Sequence, residues 1–329
     1  MKKIIYITVL TGLLMATGAC SDWTDMERTV VDAPEQLSNK DGNYYENLRA
    51  YKRSEHELYF GWFGGWNPAS PSRRGSLSSV PDSVDIISIW GMINSAMITQ
   101  EQRDELALVQ NEYGSKVTVT ILLGWIGKGL PDRTWSENRE DALREYARAL
   151  AEDIIGCGFN GLDIDFEPTI GGIDDVRDCP MGDEFTLFVE ELGKYFGPQS
   201  GTGRLLIIDG ELNLVPAEAG KYFDYAVSQA YDKTSPVAYQ SRYNAVNNIF
   251  KPHQFIITED FERHWSTGGT AFRDPVRGVI PSLWGMAYWE PAQGRKGGCG
   301  SYHMEYEYGH DPDYKYLRQA IQIMNPAIY

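Results

Sequence analysis

From Asn160 to Pro168 the chain alternates residue types one for one: Leu162, Ile164 and Phe166 interleave with Asp163, Asp165 and Glu167. A period of two is that of a β-strand, whose successive side chains point to opposite faces. The three carboxyls therefore share one face and the three apolar side chains the other. Like charges this close cannot all stay ionised without raising at least one pKa, which makes the face a candidate acid catalyst. A structural hydrogen-bond cluster and a solvated strand face are the alternatives. Glu167 closes the run before Pro168, so it sits at the carboxyl end of its strand, where barrels and open α/β enzymes keep their chemistry.

This strand is the fourth of eight. The others run over Glu57 to Phe63, Val84 to Trp90, Lys116 to Leu123, Leu205 to Asp209, Tyr225 to Tyr231, Gln254 to Thr258 and Leu283 to Trp289, with the fourth covering Gly158 to Glu167. Helical patterns separate them. The clearest are Glu137 to Ile155, with Leu143, Ala147, Leu150 and Ile154 on one face, and Asp183 to Phe196, with Phe185, Phe188, Val189 and Leu192. Thr99 with Glu101 and Gln102 has the form of a helix start, and Tyr314 to Met324 supplies a closing helix. Eight strands alternating with helices predict an α/β chain folded as a single-domain (β/α)8 TIM barrel over 55–329, with an open doubly wound sheet as the other arrangement the pattern allows.

The N-terminus has the form of an export signal. Lys2 and Lys3 precede an apolar run from Ile4 to Met15, and the small residues Ala16 to Ala19 precede Cys20; the run is too short for a permanent membrane span. Residues 1–19 are expected to be a lipoprotein signal peptide, Cys20 the lipidated residue, and 20–54 a polar tether and lead-in. A plain secretory signal is the alternative. The acidic segment Ser21 to Asp25 resembles the tethers of surface lipoproteins in some Gram-negative bacteria, so the expected location is the outer membrane, facing the cell exterior. Contact with the membrane is expected only through the lipid.

The net charge of −16 excludes nucleic acid as a partner on electrostatic grounds and fits a neutral substrate. Aromatic residues form 12% of the chain, with nine Trp and twenty Tyr. Several fall at expected strand ends, where ring faces can stack on sugars: Trp62 and Trp66 after the first strand, Trp90 and Asn94 at the second, Trp125 after the third. Asp209 and Glu211 follow the fifth and could hydrogen-bond sugar hydroxyls. Cys157, Cys179 and Cys299 lack metal-ligand spacing, and so do the five scattered His residues. No metal and no cofactor are expected, and a monomer is. Cys157 is expected as a buried free thiol at a helix end; Cys179 and Cys299, in expected loops at one end of the barrel, could pair.

The run Asn160-Gly161-Leu162-Asp163-Ile164-Asp165-Phe166-Glu167 resembles the D-G-x-D-x-D-x-E signature of glycoside hydrolase family 18, the chitinases and endo-β-N-acetylglucosaminidases, with Asn160 where the family usually has Asp. The resemblance implies that Glu167 is the proton donor, Asp165 the residue that orients the substrate acetamide, and Asp163 an inner acid bonded to Asp165. It also implies substrate-assisted catalysis, in which the 2-acetamido oxygen of the sugar attacks and no enzyme carboxylate acts as nucleophile. Two residues along a strand separate α-carbons by roughly 6.5–7 Å, which lets one side chain reach the acetamide and the other the glycosidic oxygen. Gln229-Ala230-Tyr231 resembles the Q-x-Y pattern of the endoglycosidases, implying that Tyr231 and Gln229 line the acetamide subsite. Trp284 to Glu290 resembles the last strand of the family, implying Tyr288 as the subsite floor, or Trp289 if the register slips by one.

The segment from Phe261 to Pro281 between the last two expected strands is too short for the small domain that many processive chitinases insert there. An open groove suits a branched glycan, so the expected function is hydrolysis of the β-1,4 bond in the chitobiose core of N-glycans by an endo-β-N-acetylglucosaminidase, with N-glycans of glycoproteins as partners. The alternatives are a chitinase-type hydrolase of GlcNAc oligomers and a non-catalytic glycan-binding protein. Proteins of that last kind usually lose the acid glutamate, which is intact here as Glu167.

Overall fold

Eight parallel strands close into a barrel in the order β1, β10, β7, β6, β5, β4, β3, β2. They are β1 (Leu58–Phe63), β2 (Ile86–Trp90), β3 (Lys116–Leu122), β4 (Gly161–Phe166), β5 (Leu205–Gly210), β6 (Tyr225–Gln229), β7 (Phe255–Asp260) and β10 (Gly298–Tyr302); β8 (Ala271–Asp274) and β9 (Gly278–Pro281) form a separate antiparallel hairpin. The helices are α1 (Gly42–Lys52), α2 (Gln100–Ala107), α3 (Arg139–Cys157), α4 (Asp183–Leu192), α5 (Pro236–Asn244), α6 (Phe261–His264), α7 (Ser282–Tyr288) and α8 (Lys315–Met324). This computed structural model describes residues 42–90, 97–169 and 176–326. The expected signal peptide 1–19, Cys20, the first half of the tether and Asn94 lie outside the described residues.

Strand alternation divides the apolar residues into two cores. Inward-facing Phe60, Trp62, Ile86, Ile207, Val227 and Ile256 fill the barrel, and the outward set, including Leu162, Ile164 and Phe166, packs under the helices. Leu143, Ala147, Leu150 and Ile154 form the buried face of α3. That helix starts at Asn138, whose side chain accepts from Asp141 N, and stops at Gly158 in the left-handed region. α2 begins at Thr99 with a reciprocal capping box to Gln102.

The eighth barrel strand is not the expected one. Leu283 to Trp289 falls on α7, buried along Leu283, Gly285, Met286 and Ala287, and the barrel is closed instead by β10, Gly298-Cys299-Gly300-Ser301-Tyr302. A short apolar run reads equally as a buried strand or a buried helix, whereas a five-residue strand with two glycines has poor intrinsic propensity. The glycines are there for approach: a Cβ at Gly300 would lie 1.7 Å from Phe60 O on β1. The connection from β7 to β10 therefore spans 261–297 and carries a hairpin and two short helices rather than an inserted domain.

Two smaller differences follow. The expected tether ends in a helix, α1, whose Lys52 Nζ donates to Val84 O (2.6 Å) and Ser115 Oγ (2.7 Å) while Tyr45 stacks on Tyr113 at 5.6 Å. A polar segment with no apolar period gave no sign of it. Cys299 lies within β10 rather than in a loop and is buried, and both it and Cys179 are free thiols, raised to about 12 by burial. Cys157 is a buried free thiol at the last residue of α3, as expected.

The chain entering β1 is fastened to the chain entering β10 by Lys296, whose fully buried ammonium donates to Glu57 Oε1 (3.2 Å), Glu290 Oε1 (2.9 Å) and Ala287 O (3.1 Å). Removing one partner of a buried ion pair leaves the other charge uncompensated, at a cost of about 3–5 kcal/mol. Lys296→Ala is expected to lose on the order of 3 kcal/mol of unfolding free energy, and a urea midpoint equal to that of the parent would show the bridge to be dispensable.

Candidate active site

The acidic face of β4 points into the barrel mouth. Asp163 lies deepest: its Oδ2 accepts from Trp62 Nε1 (2.9 Å), Thr120 Oγ1 (2.9 Å) and Ser88 Oγ (3.2 Å), gathering β1, β3 and β2 around one carboxyl oxygen. Asp165, two residues further up, is also buried, and the strand register sets it directly across from Asp209 of β5. Glu167 stands at the rim, half-buried, just beyond the last residue of β4.

Asp209 is fully buried and hydrogen-bonds both Asp165 and Asp163. Two carboxyl groups bond each other only when one carries a proton. Asp163 Oδ1, Asp165 Oδ1 and Asp209 Oδ2 are all buried with no other donor among the described residues, so a proton held within the cluster is what satisfies them. The pKa shifts agree. Burial, then the charges of Asp165 and Asp163, hold Asp209 well above the usual carboxylate range. Burial and the neighbouring Glu167 push Asp165 to about 8, and burial pushes Asp163 to about 6 against four hydrogen bonds that favour its ionised form. Burial and repulsion thus both favour the protonated form of Asp209. That residue was read from sequence as a loop acid for sugar hydroxyls; with no exposure it touches none.

Gln229, at the end of β6, donates to Asp209 Oδ1 (2.8 Å) and also reaches Glu167, which burial raises above its ordinary pKa. Tyr231, two residues on, lies 6.1 Å ring to ring from Tyr302. Glu211 is engaged too: its carboxylate accepts from Thr169 N (2.8 Å) and from the Thr169 hydroxyl, tying the segment after Glu167 to the end of β5. Between them Gly210, at φ +88°, passes so close that a Cβ would lie 2.5 Å from Phe166 O and 2.9 Å from Glu167 Cγ. Glycine is thus required by both the left-handed backbone and the approach of the acid.

The aromatic residues sort differently from the sequence reading. Trp62 is buried and serves Asp163. Trp90 and Trp125 are exposed at the mouth, Trp90 edge-on to Tyr302 at 5.9 Å and Trp125 beneath the Lys128 ammonium at 5.3 Å. Trp66 is buried, donating to Glu105 Oε2 (2.8 Å). Tyr288 and Trp289 do not reach the site, because the segment they sit on is α7 and its exit rather than a barrel strand. Tyr288 is covered by the Arg277 guanidinium at 3.4 Å, and Trp289 packs on Tyr239 and on Phe255 at the amino-terminal end of β7, the end opposite the acids. The carboxyl end of the eighth strand is instead occupied by Tyr302, which also faces Trp62 at 6.0 Å. Sequence reasoning missed it through the wrong choice of strand; the alternation Gly298, Gly300, Tyr302 after the glycine-rich turn was the available signal.

A family model for glycoside hydrolase family 18, BT1044-like, matches residues 24–323. The chain belongs to glycoside hydrolase family 18. Among its relatives, endo-β-N-acetylglucosaminidase F2 of Elizabethkingia meningoseptica is 26% identical over 314 residues, 85% of each chain. A selenomethionine form of BT1044 with a glutamate-to-glutamine substitution superposes with a TM-score of 0.78 at 28% identity, covering 89% of this chain and 95% of that one. An endo-β-N-acetylglucosaminidase from Cordyceps militaris, a double variant in complex with fucosyl-N-acetylglucosamine-Asn, shares the fold at TM-score 0.62 and 23% identity, covering 87% and 97%. This family-18 barrel thus carries its acid motif on the fourth strand, at the mouth, with the fifth and sixth strands closing around it.

A carboxyl that stays protonated in the folded state at a pH where the unfolded chain ionises it lowers stability as pH rises through that window. For this cluster the window runs from the ordinary carboxylate range up through the values of about 6 and about 8 for Asp163 and Asp165. Asp209→Asn keeps a donor but removes the dissociable proton. Its melting temperature is expected to fall less between pH 5 and pH 8 than that of the parent, while kcat drops ten-fold or more; a parallel pH dependence of melting would mean the proton resides elsewhere.

Proposed function

We propose that this family-18 hydrolase is an endo-β-N-acetylglucosaminidase that cuts the β-1,4 bond of the chitobiose core of N-glycans with retention. The observation that carries the reading is the arrangement of Asp165 and Glu167: two carboxyls two residues apart at the barrel mouth, one locked in a proton-sharing cluster and one at the rim with a raised pKa. Glu167, protonated, gives its proton to the leaving oxygen and later takes one from water. Asp165 is a poor nucleophile, since its charge is shared with Asp209 and Asp163. It is suited instead to accept from the acetamide N–H and to stabilise the positive charge that grows as the acetamide oxygen attacks the anomeric carbon. Tyr231 and Gln229 border that subsite, and Tyr302 supplies a ring for the sugar to stack on.

The substrate class is supported by the relatives, two of which are named as endo-β-N-acetylglucosaminidases, and by the absence of an inserted domain between β7 and β10. The leader and Cys20 support an exported lipoprotein held at the outer membrane and exposed at the cell surface.

Glu167→Gln is expected to fold and bind glycan while losing turnover by about 10²–10⁴-fold, because general acid catalysis contributes on that scale. Mass spectrometry of glycans released from a mixed glycoprotein panel checks this, and comparable release by both proteins would remove Glu167 from the mechanism. In the parent, activity is expected to fall as pH rises through the raised pKa of Glu167, since only the protonated acid can donate. For the anchor, Cys20→Ala is expected to abolish incorporation of labelled palmitate in cells; retained label would refute lipidation at that residue.

A further inference from the structure

Beside the catalytic mouth, the loop after β1 and the loop after β10 enclose a hollow of about 350 Å³, lined by Gly64, Asn67, Ser72, Arg74, His303 and Tyr306 among others. This lies at the small end of the range for ligand pockets, roughly 300–1,000 Å³. It is joined to the acid cluster by rings in sequence: Tyr231 to Tyr302 at 6.1 Å, Tyr302 to His303 at 4.2 Å, and His303 to Tyr306 at 5.1 Å. At the far end the Arg74 guanidinium sits over the Tyr306 ring, 3.8 Å from its centroid.

We propose that this hollow is a second sugar subsite, taking a neutral pyranose from the branch of the glycan whose core is cut at Glu167; it rests on the endoglycosidase reading above. Besides this contact with Tyr306, Arg74 has no carboxylate partner among the described residues, which leaves its N–H donors for a ligand. A planar fork of donors suits a pair of vicinal hydroxyls. Asn67, Ser70 and Ser72 add donors and acceptors around it. Glu305, also in the lining, lies 2.5 Å from His303 Nδ1, and a carboxylate at that wall disfavours an acidic sugar.

The site is built before any ligand arrives. Buried Glu105 of α2 fastens the loop after β1 by accepting from Trp66 Nε1 (2.8 Å), Ser78 N (3.0 Å) and the Ser76 hydroxyl. On the opposite wall a Cβ at Gly64 would lie 2.5 Å from His303 Cε1, so the backbone is pressed against the imidazole. His303 itself is held at φ +51°, a conformation non-glycine residues rarely adopt. A preorganised wall lowers the entropy lost on binding a flexible branch.

The test compares two glycopeptides of one sequence, one with a branched mannose core and one trimmed to chitobiose and a single mannose. In Arg74→Ala and in Tyr306→Ala the ratio of kcat/KM for the branched to the trimmed substrate is expected to fall at least ten-fold, through KM, while Tyr306→Phe, which keeps the ring under the guanidinium, retains the parent ratio. A ratio within two-fold of the parent in both alanine variants overturns the proposal, as does a fall seen only with sialylated branches, which would assign the hollow to an acidic sugar. If the parent cleaves neither glycopeptide, the endoglycosidase reading fails separately. Calorimetric titration with mannotriose then decides the subsite: binding at least ten-fold weaker in Arg74→Ala supports it, and equal binding, or none to the parent, overturns it.

Discussion

A cluster of buried, proton-sharing carboxyls organises the centre of this barrel. Asp163, Asp165 and Asp209 lie buried within reach of one another, and three ionised carboxylates there would each carry a cost of desolvation and repulsion. Protonation within the cluster turns repulsion into hydrogen bonds. The surrounding sequence supports that state. Trp62, Ser88 and Thr120, from three strands, all donate to a single oxygen of Asp163. Gln229 donates to Asp209 from a fourth. In the proposed mechanism the same arrangement keeps Asp165 from acting as a free nucleophile while leaving it basic enough to hold an acetamide N–H.

The proton cluster in turn depends on close backbone approach. Asp165 meets Asp209 only because β4 and β5 pair in register through Asp163 and Ile207 up to Phe166 and Gly210. Gly210 lets Glu167 rest where any side chain would displace it. On the far side of the barrel, Gly300 lets β10 close against β1, which brings Tyr302 up beside Trp62 and Trp90. Glycines at these two points set where the acid and the stacking ring stand relative to each other.

These dependencies explain what could be read in the chain and what could not. The acid strand announced itself because burial of one face and chemistry on the other impose a strict period of two, and the first seven barrel strands were legible for a similar reason, each being rich in β-branched or aromatic residues. Asp165, Glu167, Gln229 and Tyr231 come together in the structure from positions that local pattern already placed at strand ends. β10 was illegible because its residues are chosen for closeness rather than for propensity, while the apolar run 283–289 carried more strand-like signal and folds as a helix that buries Leu283, Gly285, Met286 and Ala287 and leaves Tyr288 exposed. Asp209 was seen but misplaced: its depth is a property of the register with β4, which no single segment encodes. α1 was invisible because its anchors, Lys52 and Tyr45, act through partners about 30 to 70 residues away.

Replacing the expected eighth strand by β10 also changes what kind of groove the barrel offers. Had Leu283 to Trp289 closed the sheet, the chain after it would have run directly into the last helix, and the mouth would have ended at Tyr288. Instead the chain leaves β10 at Tyr302, turns through His303 in the left-handed region, and passes Glu305 and Tyr306 across the top of β1. On the other side, the β8–β9 hairpin is tied to the loop after β6 through Arg273 N to Thr234 O (2.9 Å). On the β1 side the mouth adjoins a polar, ring-lined hollow. A linear chain of identical sugars gains little from such asymmetry, whereas a branched glycan can lay its scissile core over Glu167 and direct one arm toward Arg74.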